Sequence, residues 1–213
     1  MDWPEEFLND VPTKFLKQIH AAINAGYLHS EIQVESQGLG LPEKKNLLPW
    51  QCRAQIEHRI KSAALKFGDP VKVTTENSGF WNHVVITCGR FRMTQSAISK
   101  ENSALNPAEY KCRYANQQKQ LLLNFGEDFV DEMEPENYFY AVILHHAPFD
   151  QSEPEFVSIR FPTADLTTYH PDSIDLVSMF LGNELAETTT PVENIPDKAA
   201  PRLKKKKRTS GDA

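Results

Sequence analysis

Apolar residues recur at helical spacing near the start of the chain. In Val11–Tyr27, VPTKFLKQIHAAINAGY, residues Phe15, Leu16, Ile19, Ala22 and Ile23 share a face, Pro12 suits a first turn and Gly26 an exit. This predicts a first helix. The stretch QGLGLPE, between Glu31 and Glu43, predicts a loop from its Gly and Pro content. A second stripe, Leu48, Cys52, Ile56, Ile60, Ala63 and Phe67, predicts a helix over Leu48–Phe67, stopped by Gly68 and turned by Asp69-Pro70. Its opposite face, with Arg53, Glu57, His58 and Lys61, reads as solvated.

The period then changes from helical to alternating. Val71–Thr75 predicts a strand and Glu76–Gly79 a turn. The following stretch, His83–Ser96 (HVVITCGRFRMTQS), is the most regular in the chain. If Gly89-Arg90 is a two-residue turn, Cys88 faces Phe91, Thr87 faces Arg92 and Ile86 faces Met93. That register puts Val84, Ile86, Cys88, Phe91 and Met93 on one face. His83, Val85, Thr87, Arg92, Thr94 and Ser96 fall on the other, and a one-residue slip would mix the two sets. A charge at Met93 should therefore be costly and one at Thr94 tolerated.

Asn106-Pro107-Ala108-Glu109 has the form of a helix start, with the helix running to about Asn124 through an unusually polar middle, RYANQQKQ. Tyr138–Leu144, YFYAVIL, is apolar on both faces and predicts a central strand. Phe156–Phe161 predicts its partner, ended by Pro162. Asp172 or Ser173 is placed to cap a short last helix, Ile174–Leu181, stopped by Gly182. The elements add up to a single α+β domain over residues 5–185, with a mainly antiparallel sheet flanked by helices. Residues 186–213 lose apolar periodicity, are rich in Thr, Pro, Ala and Lys, and predict a disordered basic tail.

Charge sharpens that boundary. Of 23 basic and 29 acidic residues, seven and four fall after residue 185, leaving 16 and 25 in the body. The body is thus about −9 and the tail about +3, and Gly126–Asn137 forms an acidic connector within the body. Three scattered cysteines, Cys52, Cys88 and Cys112, argue against a disulfide framework or a CxxC metal site. No run reaches the roughly 18 apolar residues of a membrane span. The acidic start MDWPEEFLND lacks the order of a signal peptide. These features point to a cytoplasmic protein, or a nuclear one in a nucleated cell.

Candidate chemistry is sparse. Arg90, Arg92, Thr94 and Ser96 would offer charge-assisted and hydroxyl donors at strand spacing, a pattern that suits phosphate oxygens or simply a wet sheet face. Lys204, Lys205, Lys206, Lys207 and Arg208 form a block that attracts polyanions and also reads as a nuclear import signal. His145 and His146 are adjacent at a strand end and point to opposite faces, which disfavours shared metal ligation. Cys88 falls on the apolar hairpin face, where a thiol is inert, while Cys112 lies between Lys111 and Arg113. No GxSxG, GxGxxG or GxxxxGK[ST] motif occurs, and no cofactor, metal or catalytic residue is assigned.

The order helix, three strands, helix, strand from Leu48 to Leu144 is similar to the core of restriction-endonuclease-like nucleases. That resemblance implies an acid and an acid-x-Lys pair on the second and third strands, holding a divalent metal. Here those strands read WNHVVITC and RFRMTQSAI without an acid, and the nearest carboxylates are Glu57 and Glu76. The implication is a nuclease-like core lacking the usual site. The expected function is therefore a non-catalytic binding or regulatory protein that contacts nucleic acid or a protein partner. The alternative is a metal-dependent hydrolase, nuclease-like with a degenerate site, using Glu57, His83, or His145 and His146.

Overall fold

The strands lie side by side in the order in which the chain makes them. The computed structural model describes residues 2–78, 81–101, 103–124, 138–149 and 151–187. Helices α1 (Trp3–Asp10), α2 (Thr13–Glu35) and α3 (Leu41–Phe67) come first. They are followed by β1 (Lys72–Ser78), β2 (Trp81–Cys88) and β3 (Phe91–Ala97). Then come α4 (Glu109–Asn124), β4 (Phe139–His146), β5 (Phe156–Pro162), β6 (Tyr169–Asp175) and α5 (Leu176–Glu187). The sheet has the order β1-β2-β3-β4-β5-β6, with β1 and β6 at its edges. Every neighbouring pair is antiparallel except β3–β4, which is parallel. This is an α+β fold with a mixed, mostly antiparallel sheet, and no helix among the described residues is long and apolar enough to cross a membrane.

Helices cover both faces. On one, Phe7 of α1, Phe15, Leu16, Ile19 and Ile23 of α2, Ile56 and Ile60 of α3, and Leu176 and Phe180 of α5 pack against Ile86, Phe91, Met93, Ile143 and Ile159. On the other, Tyr114 and Ala115 of α4 join Val85, Tyr140, Val142, Leu144 and the loop residues Ile98, Leu105 and Leu166. β4 is buried on both sides, as its apolar run predicts.

The hairpin has the predicted register: Ile86 pairs with Met93, Thr87 with Arg92 and Cys88 with Phe91. Its polar face is not wet, however. His83, Val85, Thr94 and Ser96 are buried beneath α4 and its approach. A parallel pair needs a crossover, and a crossover helix must lie on one face of the sheet; here it takes the polar one. The polar groups then find partners inside. Thr94 Oγ1 bonds Tyr140 Oη at 2.8 Å, Lys111 Nζ donates to Ser96 Oγ at 3.0 Å, and Gln118 Oε1 accepts from the Tyr140 amide at 2.8 Å. The polar middle of α4 is thus the counterpart of a polar strand face. A lysine at Thr94 would be as unwelcome as one at Met93.

Other boundaries differ for equally local reasons. Helix α1 is too short for its periodicity to stand out; it is capped by Asp2, whose side chain accepts from the Glu5 amide at 3.1 Å. Gly26 does not end a helix but sits inside α2, where α3 passes so closely that a Cβ would lie 2.5 Å from Ile56 Cγ1. Helix α3 begins at Leu41, includes Pro49, and stops as predicted at Gly68, whose φ is +70°. The turn expected at Glu76 gives way to strand through Ser78, and α4 starts at Glu109 rather than at Pro107. Tyr169–Asp175 is a sixth strand, because Ile174 pairs with Ile159; Asp175 then caps α5, accepting from the Val177 and Ser178 amides. Gly182 lies within that helix, which extends two residues past the predicted domain end. The acidic connector and the rest of the expected basic tail, residues 188–213, lie outside the described residues.

The helix crossing at Gly26 makes a sign-specific test. At an exposed helix interior Gly→Ala stabilises by about 1 kcal/mol. At Gly26 the new methyl must displace Ile56, and overpacking of this kind costs about 1–3 kcal/mol. Gly26→Ala is expected to lower stability in urea unfolding; a stabilised variant would show that α2 and α3 have room to part.

Candidate functional site

Because β3 and β4 run parallel, their carboxyl ends finish together, with Ala97 beside His145. Strand β2 runs the other way and begins at the same edge, bringing Trp81 and His83 there. The first half of α3 and the approach to α4 rise on either side. Between them lies a cleft of about 690 Å³, within the range of roughly 300–1,000 Å³ usual for small-ligand sites and at the strand ends where open sheets commonly bind them.

The α3 side of the cleft is a closed hydrogen-bonded chain. Glu57 Oε2 accepts from the Val84 amide at 2.7 Å and Oε1 from Gln95 Nε2 at 2.7 Å. That orients the Gln95 amide so that its oxygen meets His145 Nε2 at 2.7 Å, while Tyr27 Oη lies 2.7 Å from His145 Nδ1. An amide oxygen only accepts, so His145 carries its proton on Nε2, and Nδ1 accepts from the Tyr27 hydroxyl. Every member has a partner. Burial pushes the Glu57 carboxyl up and His145 down to about 3, keeping that ring neutral.

The α4 side is the opposite case. His83 is 2% exposed, and its ring stacks on Tyr110 with centroids 3.6 Å apart. Neither of its ring nitrogens has a hydrogen-bond partner. Lys111 is 5% exposed; its ammonium meets Ser96 Oγ and, at 3.4 Å, the Asn106 carbonyl. No carboxylate among the described residues pairs with it. Burial, helped by nearby Arg53, pushes its amine down to about 8. Burial also lowers His83, reinforced by Arg113, Arg53 and Lys111 and opposed by Glu76. At the mouth, Trp50 of α3 stacks on Trp81 at 4.8 Å, the two being 54% and 49% exposed, and the Arg53 guanidinium lies 5.2 Å from the Trp81 ring.

The residues singled out in the hairpin are dispersed. Arg90 clamps the turn to α1, donating to Asp10 Oδ2 from its amide at 2.7 Å and from Nε at 2.9 Å, and to Glu6 at 2.6 Å. Arg92 lies between the Tyr114 and Tyr138 rings, 4.8 and 4.5 Å from their centroids. Thr94 is buried, and Ser96 alone of the four lines the cleft. Lys204–Arg208 fall outside the described residues. Glu57, His83, His145 and His146, weighed from sequence as a hydrolytic set, do share the cleft. Among the described residues, however, no group of three or more His, Cys, Asp or Glu is arranged to hold a metal ion. Cys88 is buried, its thiol donating to the Asp10 carbonyl at 3.3 Å and pushed up to about 11 by burial.

Trp50 and Trp81 are not singled out by the sequence pattern, Arg53 reads there as part of a solvated helix face, and Lys111 only as a neighbour of Cys112. The only available signal was a cluster of Trp, Tyr and basic residues near the ends of predicted elements. No family model, no curated protein and no solved structure matches this chain.

The depressed His145 ring gives a pH test. Above pH 6.5 it is neutral whether folded or unfolded and adds no pH dependence. As pH falls from 6.5 towards 3, the unfolded chain binds a proton that the folded one refuses, so stability falls. Between pH 7 and 5 this ring accounts for a loss of about 2 kcal/mol. Denaturant unfolding of His145→Gln is expected to show a loss smaller by that amount than wild type; equal losses would mean that the ring titrates normally in the fold.

Proposed function

We propose that this chain is a binding protein, not an enzyme, and that its ligand enters the cleft at the carboxyl ends of β3 and β4. The observation that carries this reading is the unpartnered buried His83 and the buried, carboxylate-free Lys111, both among the residues that line the cleft. Burying polar groups and charges without partners is costly, and a ligand that supplies those partners offsets the cost. The hairpin face, first candidate for such contacts, is largely occupied by α4. A nucleic-acid or protein contact through Lys204–Arg208 remains part of the reading, as a second and less specific attraction for polyanions.

The hydrolytic alternative has its side chains on the same cleft, which is its one support. Against it, both Glu57 oxygens and both His145 nitrogens are already hydrogen bonded, so neither side chain is free to take up a metal or a substrate proton as it stands. His83 has free nitrogens but no group that orients its ring as a base.

Trp50 and Trp81 stand at the cleft mouth, and Trp3 lies in the core as an internal reference. In ¹H–¹⁵N spectra, nucleoside monophosphates, aromatic carboxylates and their uncharged parents are to be titrated separately. At least one is expected to shift the Trp50 and Trp81 indole signals saturably while Trp3 stays still, and Ala97→Trp, which fills the cleft, should abolish the response. If no probe moves them up to its solubility limit, the cleft is not a ligand site.

A further inference from the structure

The cleft has two chemically different ends, and their arrangement specifies a ligand. At the mouth, a stacked indole pair with an Arg53 guanidinium beside it presents a half-exposed aromatic platform. Flat rings stack on such platforms with little regard to their substituents, and a cation over the ring adds to the attraction. Deeper in, the donors converge. Lys111 has three N–H groups and gives two to Ser96 and Asn106, so one remains. His83 has two unpartnered nitrogens, at least one of which carries a proton; both are closed off from solvent here, so they meet a ligand only when the ring turns towards the cleft. Asn106, Pro107 and Ala108 bring the start of α4 to the same wall, where the first amides of a helix lack intrahelical partners and favour negative charge.

Resting on the cleft reading above, we propose that the ligand is a nucleoside monophosphate unit, its base on the Trp50–Trp81 platform and its phosphate held by Lys111, His83 and the start of α4. Charge favours an anion at this wall: the Lys111 ammonium keeps one N–H unused, His83 is unpartnered and the chain leading into α4 lines the same side, and a phosphate, with three terminal oxygens, can meet more than one of them. Spacing is consistent as well. Trp81 and His83 are two apart on one face of β2, about 7 Å by strand rise, and the Lys111 ammonium lies 6.0 Å from the Tyr110 ring that backs His83. A linker must therefore separate ring from anion.

The cleft also contains carboxylates, and they fit the polarity. Glu57 and Glu31 line its α2 and α3 side. Glu57 and Gln95 lie on the opposite face of the sheet from Ser96 and Lys111, since the register puts Gln95 and Ser96 on opposite faces. The acidic oxygens of Glu57 and Glu31, which accept and do not donate when ionised, disfavour a phosphate on that side relative to the α4 wall.

Two sources supply this chemistry, a free nucleotide and the 5′-phosphorylated end of a single strand. Calorimetric titration of the full chain with AMP, adenosine, inorganic phosphate, and a tetra-adenylate with and without its 5′-phosphate separates the cases. AMP is expected to bind at least tenfold more tightly than adenosine or inorganic phosphate. Lys111→Met should reduce AMP to the adenosine level without weakening adenosine, and Trp81→Ala should weaken both. The comparison of ligands on the wild-type chain needs no variant, so it stands even if Lys111→Met fails to fold.

Adenosine binding as tightly as AMP would overturn the phosphate assignment and leave the cleft reading intact. Inorganic phosphate binding as tightly as AMP would overturn the role of the ring. AMP failing while an aromatic carboxylate shifts the Trp50 and Trp81 signals would overturn the nucleotide and keep the cleft, whereas failure of every probe removes both. Either tetra-adenylate result supports the shared chemistry: a phosphorylated strand tighter than AMP identifies a strand end, and a weaker one a free nucleotide.

Discussion

Parallel strands cannot be joined by a tight turn, so the pairing of Phe91–Ala97 with Phe139–His146 obliges the intervening chain to cross the sheet. That one pairing decides which face α4 covers, why the helix is polar in its middle, and where two strand ends and a helix start meet. Without it, β1 to β6 would be a plain meander, with one face packed by α1, α2, α3 and α5 and the other open to water. The cleft follows from the direction of a single strand pair.

The two sides of the cleft show the two ways in which a fold can treat buried polar groups. From Glu57 through Gln95 and His145 to Tyr27, each donor meets an acceptor, and the chain ties α2, α3, β3 and β4 together. Such a network fixes geometry and resists protonation. Across the same cleft, His83 and Lys111 are left partly unanswered. The unanswered pair is the more enclosed of the two, since His83 and Lys111 are buried while Glu57 and Gln95 are half-buried, so the difference is not a matter of access to water.

Much of the scaffold was legible in the residues, and the misses have physical causes. The β2–β3 register could be read because a one-residue slip would have mixed apolar and polar side chains. The covering of its polar face could not, because alternation reports that two faces differ, not that one is wet. Gly26 was misread because a glycine that lets two helices touch looks, in one dimension, like a glycine that ends one. Strand β6 and helix α1 were hidden by shortness and by Pro171 and Pro4, which weaken a periodic signal. Lys111 was seen only as a neighbour of Cys112; its burial depends on a crossover that no local pattern announces.

A sheet that ends, among the described residues, in the edge strands β1 and β6 also has a life beyond one molecule, because an unpaired strand offers its backbone to any other chain. Here β1 carries Lys72 and Glu76 on a stretch with a single aliphatic residue, Val73, and β6 carries Pro171, which has no amide hydrogen to give, followed by Asp172. Neither margin presents the long apolar template on which sheets stack edge to edge. Among the described residues, each edge of the open six-stranded sheet therefore carries its own deterrent to pairing with the same edge of a second copy.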